Sequence, residues 1–378
     1  MRVLLTGGGT GGHVNPALAI ADTVKRKYPD AEIAFVGTKR GIENRLVGKE
    51  GYKIYHIEIQ GIRRSLSLSN IKTAYYVLTS PRKAKKIIKE FAPDIVIGTG
   101  GYVCWPTLRA AADMGIPTMV HESNALPGVA VRQLQHKVDK ILTNFEATAE
   151  RLEAKEKIVN VGNPLRESYG RLTRAEAREK LGIGEGDFLV LSFGGSLGAE
   201  KVNLAALELM KGFSAKHERV HHIHASGSRG YEAMAEDVKR EGIDAVSRIS
   251  VREYIYDMPV CMAAADLVIC RAGAMTLTEI AGMRKAAIII PSPNVTDNHQ
   301  YKNAKVLSDA RAAVLIEEKE LTGERICRLA ERIYTDADFR RGMEENIGAF
   351  AMENVGERIL EEGETLIRNR EKIKKRVF

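Results

Sequence analysis

The chain has 378 residues, more than one hydrophobic core usually serves, so two domains are expected. No stretch approaches the ~20 apolar residues that span a bilayer, and four scattered cysteines with a strand-like opening predict a cytosolic protein with free thiols and no signal peptide. The net charge of +8 favours anionic partners such as nucleotides or phospholipid surfaces, and without a nucleic-acid-binding motif nucleic acid ranks last.

A glycine-rich turn follows the first predicted strand. Residues 2–5 form an apolar run, residues 6–13 read TGGGTGGH, and residues 16–21 have helical character. Strand, glycine turn and helix in this order make an anion cradle, because the main chain can approach a phosphate and the helix dipole favours negative charge. The spacing also fits the dinucleotide pattern, but so short a glycine-rich stretch fits many patterns, and a tight packing turn remains an alternative.

The first half of the chain alternates short apolar strands with helices. Further strands are expected at residues 32–37, 53–57, 94–98, 117–122 and 140–143. This alternation predicts a parallel, doubly wound sheet whose ligands lie beyond the carboxyl ends of the strands. Two of those ends carry a second glycine loop, GTGGY at 98–102, and the polar segment HESN at 121–124. Either segment alone is more often a plain strand-to-helix turn.

After a turn-rich linker at residues 160–166 the architecture repeats. Strands are expected at residues 188–193, 220–224, 247–251, 266–270 and 286–291. The first of them enters GGSLGA at 194–199, which parallels the opening motif, and a later one enters RAGAMTLTE at 271–279. Two nucleotide-binding halves are therefore expected.

The likeness of the first loop to a dinucleotide site has a specific test. That fold requires an acidic residue at the end of the second strand, where this chain has Lys39 and Arg40, a pair that suits only a 2′-phosphate, so NADP stays open. Glu279, expected in the first turn of a helix after Gly273, is a better candidate for binding a ribose diol. A capping box with Thr276 is the equal alternative.

Two basic, amphipathic stretches suggest contact with an anionic membrane surface. A helix expected to open at residues 80–82 carries apolar residues on one face and lysines elsewhere, and a basic run occupies residues 368–376. The alternatives are an ordinary surface helix covering the sheet and a frayed tail. The residues of the helix face and of the apolar patch before it are Ala84, Ile87, Ile88 and Phe91, and Leu66, Leu68, Ile71, Tyr75, Tyr76 and Leu78 near Arg63 and Arg64.

Taken together, the motifs resemble the bacterial MurG family of transferases. They run in order through most of the chain: GGTGGH at 8–13, GGY at 100–102, HESN at 121–124, GNPLR at 162–166, GGSLGA at 194–199, RAGAMTLTE at 271–279 and DNHQ at 297–300. The resemblance implies an α/β fold of the GT-B type, with two Rossmann-like domains facing across a cleft. The acceptor- and membrane-side domain would span 1–164, completed by a C-terminal helix at 352–378, and the donor domain would span 165–351.

The family implies a hexosyltransferase that moves GlcNAc, with inversion, from UDP-GlcNAc to undecaprenyl-diphospho-MurNAc-pentapeptide (lipid I), which forms lipid II for peptidoglycan. No metal or other cofactor is implied. The expected location is peripheral, on the cytoplasmic face of the bacterial plasma membrane, and the expected partners extend to other proteins of cell-wall synthesis and division. A sugar-nucleotide epimerase on the same fold and a non-catalytic membrane adaptor are the rival functions.

By the same resemblance, Glu279 would bind the ribose and Gln300 the sugar hydroxyls. His13 is the best-placed titratable group of the first loop for a general base, with Glu122 as the second candidate and a structural role for His13 as the alternative. Ser123 and His299 depart from the family pattern, which affects details of substrate contact. The implied UDP-GlcNAc site comprises Thr10, Gly11, Gly12, Asn124, Arg166, Ser196, Ile255, Ala274, Met275, Thr276, Leu277, Thr278, Glu279 and Gln300.

Overall fold

The computed structural model describes residues 1–60, 69–295 and 298–377, except the side chains of 69–74 and 374–377. The chain forms two compact units, a first unit of Met1–Glu167 with Met352–Phe378 and a second unit of Ser168–Ala351. The division falls after Glu167, whereas residue 165 was the predicted start of the second domain. Arg166 therefore belongs to the first unit, because its side chain is bonded to acidic residues there.

The first unit is built on a parallel sheet with the order β3-β2-β1-β4-β5-β6-β7. Its strands are almost continuously apolar because helices cover both faces, and Leu4 and Leu5 of β1 point into separate buried clusters. The strands are β1 Arg2–Thr6, β2 Glu32–Gly37, β3 Lys53–His56, β4 Ile95–Gly98, β5 Thr118–Glu122, β6 Lys140–Thr143 and β7 Ile158–Asn160. The helices, numbered along the whole chain, are α1 Gly11–Lys27, α2 Glu43–Lys49, α3 Ser69–Phe91, α4 Cys104–Asp113, α5 Val129–Leu134, α6 Glu146–Ala149 and α15 Val355–Val377.

The C-terminal helix α15 packs on α1. Lys27 forms an ion pair with Glu364 at 2.6 Å, and Arg358 Nη2 donates to the carbonyl oxygen of Asn160 at 2.6 Å. The last helix thus contributes to the core of the first unit, where Ile359 is fully buried.

The helix expected to open at residues 80–82 is part of a longer one. In α3, Pro81 lies inside the helix, so its missing N–H removes one backbone bond without ending the helix. The apolar face formed by Ala84, Ile87, Ile88 and Phe91 is buried in the core of the first unit, so the covering-helix alternative is right for that face. Of the apolar patch, Leu66 and Leu68 lie outside the described residues together with Arg63 and Arg64, as does the side chain of Ile71.

The second unit repeats the design, with a parallel sheet in the order β10-β9-β8-β11-β12-β13. The doubly wound parallel arrangement predicted from the sequence is thus present in both units. The strands are β8 Phe188–Phe193, β9 Val220–Ala225, β10 Ile249–Arg252, β11 Leu267–Cys270, β12 Ala286–Ile289 and β13 Val314–Leu315. The helices are α7 Arg174–Leu181, α8 Glu200–Leu209, α9 Tyr231–Arg240, α10 Met258–Ala264, α11 Ala274–Gly282, α12 His299–Asp309, α13 Gly323–Thr335 and α14 Ala337–Gly348.

Strands β7 and β13 were not predicted. They are three and two residues long, at an edge of each sheet, and so carry too little apolar pattern to stand out. No helix in the described parts of the chain is both long enough and apolar enough to cross a membrane.

Candidate functional site

The first glycine loop leads directly into a helix start. Helix α1 begins at Gly11, earlier than the predicted Pro16, so the main-chain N–H groups of Gly11 and Gly12 belong to its first turn. Thr10 is the N-cap residue, but its side chain makes no capping hydrogen bond with the helix. The space around Gly11 is open, since a Cβ added there would meet no other heavy atom within 4 Å. These amides can therefore receive an anionic group.

His13 lies in this first turn, half-buried. Its Nδ1 is 3.1 Å from the carbonyl oxygen of Gly8 and 3.3 Å from Thr10 Oγ1. Its ring packs against Gly100 of the second glycine loop, and its own carbonyl oxygen accepts from Thr99 Oγ1 at 2.6 Å. The two glycine loops of the first unit thus meet at His13.

Glu122 is buried at the end of β5, and both of its oxygens accept hydrogen bonds. Oε1 accepts from the main-chain N and from Nδ2 of Asn124 at 3.0 and 3.1 Å, and Oε2 accepts from the Gly128 N at 2.7 Å. The carboxylate therefore fixes the turn that presents Asn124. One N–H of Asn124 Nδ2 is used in this contact, so Oδ1 and the second N–H are the groups with which a substrate can bond.

Arg166 is held by carboxylates of the first unit. Its guanidinium pairs with Asp22 at 2.6 Å and with Glu50 at 3.1 Å. Burial raises the pKa of Asp22 above its ordinary value, although the guanidinium acts in the opposite direction. The positive charge that Arg166 would bring to the implied UDP-GlcNAc site is thus offset by two acidic neighbours.

The glycine loop of the second unit precedes its helix rather than opening it. Helix α8 begins at Glu200, so Ser196 lies in the loop, where its carbonyl oxygen accepts from the Ser228 N at 3.3 Å. Gly198 has a φ of +83°, and a side chain there would overlap the main chain of Ser226. The Ser196 loop is therefore held in close main-chain contact with the turn after β9.

A buried chain of hydrogen bonds supports that turn. Ser192 Oγ lies 2.7 Å from both His222 Nε2 and His224 Nδ1, and His224 Nε2 lies 3.2 Å from Asn203 Oδ1. The Asn203 amide donates to the Ser226 carbonyl at 3.0 Å, which makes Oδ1 the acceptor and His224 Nε2 the protonated nitrogen. Burial lowers the pKa of His224 to about 4, so both ring contacts are made by a neutral imidazole.

The role of these histidines was not predicted. The available signal was the alternation of His222 and His224, which places both on one face of β9, opposite Ser192 of the neighbouring strand. In the described residues no group of three or more His, Cys, Asp or Glu side chains is arranged to hold a metal ion.

Helix α11 offers a second helix start. Its N-cap is Gly273, and its first turn, from Ala274 to Leu277, carries no acidic side chain. Ala274, Met275 and Leu277 are buried, whereas Thr276 and Thr278 are half-buried. Ligand contacts at this turn are therefore expected mainly from main-chain N–H groups and from threonine hydroxyls.

Glu279 lies in the second turn of α11, not in the first as predicted. Because the helix begins at Ala274 and Gly273 caps it without a side chain, the capping-box alternative with Thr276 is wrong. Glu279 is 7% exposed, and burial raises the pKa of its carboxyl to about 7, opposed by a hydrogen bond with Tyr169.

Ile255 and Gln300 differ in the groups that they can offer to a substrate. The Ile255 side chain is buried in the core of the second unit, so a contact with substrate would come from its main chain. Gln300 Oε1 accepts from the Ser292 N at 2.9 Å, which leaves the amide nitrogen to donate to a ligand. Residue 296, just before the DNHQ motif, and residue 297, the first position of that motif, lie outside the described residues.

Two family models match the chain in order. The glycosyltransferase family 28 N-terminal domain matches residues 3–143, and the glycosyltransferase family 28 C-terminal domain matches residues 189–359. A UDP-N-acetylglucosamine--N-acetylmuramyl-(pentapeptide) pyrophosphoryl-undecaprenol N-acetylglucosamine transferase of Thermoanaerobacter sp. is 41% identical over 359 residues, 95% of this chain and 98% of the relative. The chain belongs to the MurG family of glycosyltransferases. A transferase of the same name from Acetivibrio thermocellus is 40% identical over 373 residues, 98% of this chain and 99% of its own.

Solved structures agree with the MurG family and its GT-B fold class. The crystal structure of Acinetobacter baumannii MurG matches with a TM-score of 0.72 at 29% identity, covering 96% of this chain and 99% of that one. A UDP-GlcNAc 2-epimerase from Neisseria meningitidis bound to UDP-GlcNAc matches with a TM-score of 0.65 at 13% identity, covering 96% and 99%. At that identity the epimerase shares the fold alone. The predicted fold class and family are confirmed, and membership of a glycosyltransferase family argues against an NADP-binding dehydrogenase.

Proposed function

We propose that this chain transfers GlcNAc from UDP-GlcNAc to undecaprenyl-diphospho-MurNAc-pentapeptide with inversion, and so forms lipid II for the bacterial cell wall. The observation that carries the proposal is the 41% identity, over 95% of the chain, to a transferase named for this reaction. The starts of α1 and α11 offer main-chain N–H groups for a diphosphate, and the buried carboxyl of Glu279 can accept hydrogen bonds from a ribose. These groups suit the transfer of a sugar from a nucleotide.

The leaving diphosphate would be stabilised by main-chain amides. The first turn of α11 presents N–H groups and a helix dipole with no acidic side chain nearby in that turn. The Ser196 loop adds further main-chain donors, while Glu279 would accept from the ribose hydroxyls and Gln300 would donate to the sugar. This arrangement needs no bound metal for charge stabilisation, and transfer should therefore persist in excess EDTA.

His13 would act as the general base. An acceptor hydroxyl would attack the anomeric carbon of GlcNAc while the bond from that carbon to the UDP oxygen breaks, and the hydroxyl proton would pass to the imidazole. Glu122 suits this role less well, because its two oxygens already accept three hydrogen bonds. It would instead hold Asn124 toward the substrate.

The substitution His13→Gln tests this assignment. We expect kcat to fall by ~100-fold or more with little change in the KM for UDP-GlcNAc, because the base acts in the chemical step. His136→Gln is the control, at an exposed histidine of the same unit whose side chain pairs with Glu153. Equal turnover of both variants would remove His13 from the mechanism.

A stripe on α3 would contact the anionic membrane surface from the cytoplasmic side. Tyr75 and Leu78 are 61% and 73% exposed, and the exposed side chains of Arg82, Lys86 and Lys89 continue the same helical face. Aromatic, apolar and basic side chains in one stripe suit a lipid interface. Other proteins of cell-wall synthesis and division are proposed partners at that surface.

Sedimentation with vesicles tests this peripheral association. Leu78→Ala should weaken binding to vesicles that contain phosphatidylglycerol, whereas Leu204→Ala, at a leucine of the second unit that is 44% exposed, should not. Equal binding of both variants would refute the proposal that the stripe on α3 contacts the membrane.

One assay separates the proposal from its rivals. The protein is incubated with radiolabelled UDP-GlcNAc and lipid I in detergent, with and without EDTA. Label in the lipid supports the transferase, isomerised sugar nucleotide supports the epimerase, and no turnover supports the adaptor. Transfer that occurs only when a divalent ion is added would contradict the main-chain mechanism.

A further inference from the structure

Glu43 is a buried acid beneath the first glycine loop that no motif singled out. It is the first residue of α2 and is 1% exposed. Its Oε1 accepts from both the main-chain N and Oγ1 of Thr38 at 2.8 Å, and its Oε2 faces the Gly9 N at 3.3 Å. Burying a carboxylate is unfavourable unless donors surround it, so these contacts fix its position.

The peptide group that Glu43 contacts is also bonded to His13. Gly9 supplies the N–H of the Gly8–Gly9 peptide, and Gly8 supplies its carbonyl oxygen, which is 3.1 Å from His13 Nδ1. One peptide group therefore connects the carboxylate to the imidazole. A carbonyl oxygen can only accept, so this contact requires the proton on Nδ1, and in the neutral ring Nε2 then holds the lone pair. The Thr10 hydroxyl, 3.3 Å from Nδ1, accepts in this tautomer and would donate to Nδ1 only in the other one.

Glycines pack closely against this peptide and against Glu43. Gly101 has a φ of +82°, and a Cβ there would overlap the Gly8 carbonyl oxygen, so the second glycine loop closes one side. On the other side, Gly37 allows the acid to approach, because a Cβ at that position would lie 2.7 Å from Glu43 Cγ. The glycines thus allow the second loop and the Glu43 carboxylate to approach the first loop this closely.

We propose that Glu43 is a positioning residue that acts through the Gly8–Gly9 peptide to hold His13 in the Nδ1–H tautomer. An anion at the N–H end increases the negative charge on the carbonyl oxygen, which strengthens its bond with Nδ1–H. Nε2 is then the nitrogen that can receive a proton. The inference rests on the proposed function only for the role of Nε2 as base, since the tautomer itself can be observed without substrate.

The direct test is nitrogen NMR on the unmodified protein labelled with ¹⁵N-histidine, with the His13 signals assigned by their loss in His13→Gln. At pH 8 we expect a protonated Nδ1 and an unprotonated Nε2. Protonated Nε2 with unprotonated Nδ1 would overturn the proposal. Because this measurement needs no change at Glu43, it remains decisive even if Glu43 variants do not fold.

The second test is Glu43→Gln, which keeps the shape but places an NH₂ group against donors that need an acceptor. We expect a mixed or reversed His13 tautomer and a kcat lowered by ~10-fold or more, with the KM for UDP-GlcNAc changed by less than about twofold. The matched control is Glu32→Gln, a neutralised acid of the same unit whose side chain is 59% exposed and pairs with Arg2. A lowered kcat with an unchanged tautomer would show that Glu43 has a merely structural role. That result would refute its proposed action on His13 through the Gly8–Gly9 peptide.

These outcomes keep the two proposals apart. If His13→Gln retains turnover, His13 is not the base, but the tautomer measured by NMR still tests whether Glu43 positions the imidazole. If His13→Gln loses turnover but NMR finds Nε2–H, the positioning role of Glu43 is refuted and the assignment of His13 as the base stands.

Discussion

Replacing Glu279 with glutamine should stabilise the unliganded protein in a pH-dependent way. Burial raises the pKa of this carboxyl from 4.5 to about 7. At about 1.4 kcal/mol per unit, holding it ionised in the folded protein costs about 3 kcal/mol. Below pH 4.5 the group is protonated in both states and costs nothing. Between pH 4.5 and 7 the unfolded chain ionises first, so stability falls as pH rises, and above pH 7 the full cost remains.

Thermal and urea unfolding of the Glu279→Gln variant and its parent at pH 5 and pH 8 measure this difference. We expect the variant to be more stable by less than about 1 kcal/mol at pH 5 and by about 3 kcal/mol at pH 8. Glu236→Gln, at an exposed glutamate of the same unit, is the control and should show no such trend. A stability difference that does not change with pH would refute the reasoning.

The same ionisation should be visible when the donor binds. If the ribose hydroxyls donate to Glu279, binding requires the carboxylate, and about half a proton should be released per UDP near pH 7. Calorimetric titration in buffers with different ionisation enthalpies measures that release. The glutamine variant should bind UDP more weakly and release no proton at this site, and an unaltered KM for UDP-GlcNAc would contradict the ribose assignment.

Three further substitutions have specific expected results. His224→Phe should destabilise the second unit by about 3 kcal/mol in thermal unfolding, because it leaves buried hydrogen-bond partners unsatisfied; an unchanged Tm would contradict this. Glu122→Ala should raise the KM for UDP-GlcNAc roughly tenfold, with a smaller effect on kcat, because Asn124 loses its anchor; a selective loss of kcat would instead support Glu122 as the base. Arg166→Ala should destabilise the first unit by about 2 kcal/mol, since it leaves Asp22 without its partner, and urea unfolding would measure it.

The strands of both sheets were largely predictable from the sequence. Runs such as residues 188–193 are apolar on both faces because helices cover both sides of a parallel sheet, and that signal is local. The short edge strands β7 and β13 lack such a run. The start of α1 was also missed, since glycines are poor helix formers and the sequence therefore gives no helical signal at Gly11 and Gly12.

The motifs located the candidate site but not its contacts. Glu279 was recognised as a ligand candidate, but its turn of α11 depended on where the helix begins. Arg166 was expected to serve the donor, and its pairing with Asp22 joins residues far apart in the sequence. The role of Glu43 could not be predicted, because only the fold brings its carboxylate beneath the loop that contains Gly9.

The most direct test is a crystal structure of the protein with UDP. The central claim is that main-chain amides, rather than a cation, hold the sugar diphosphate. We predict phosphate oxygens within hydrogen-bonding distance of the main-chain nitrogens at the start of α11, with both ribose hydroxyls on Glu279. A diphosphate held through a metal ion, or bound away from the start of α11, would contradict the claim.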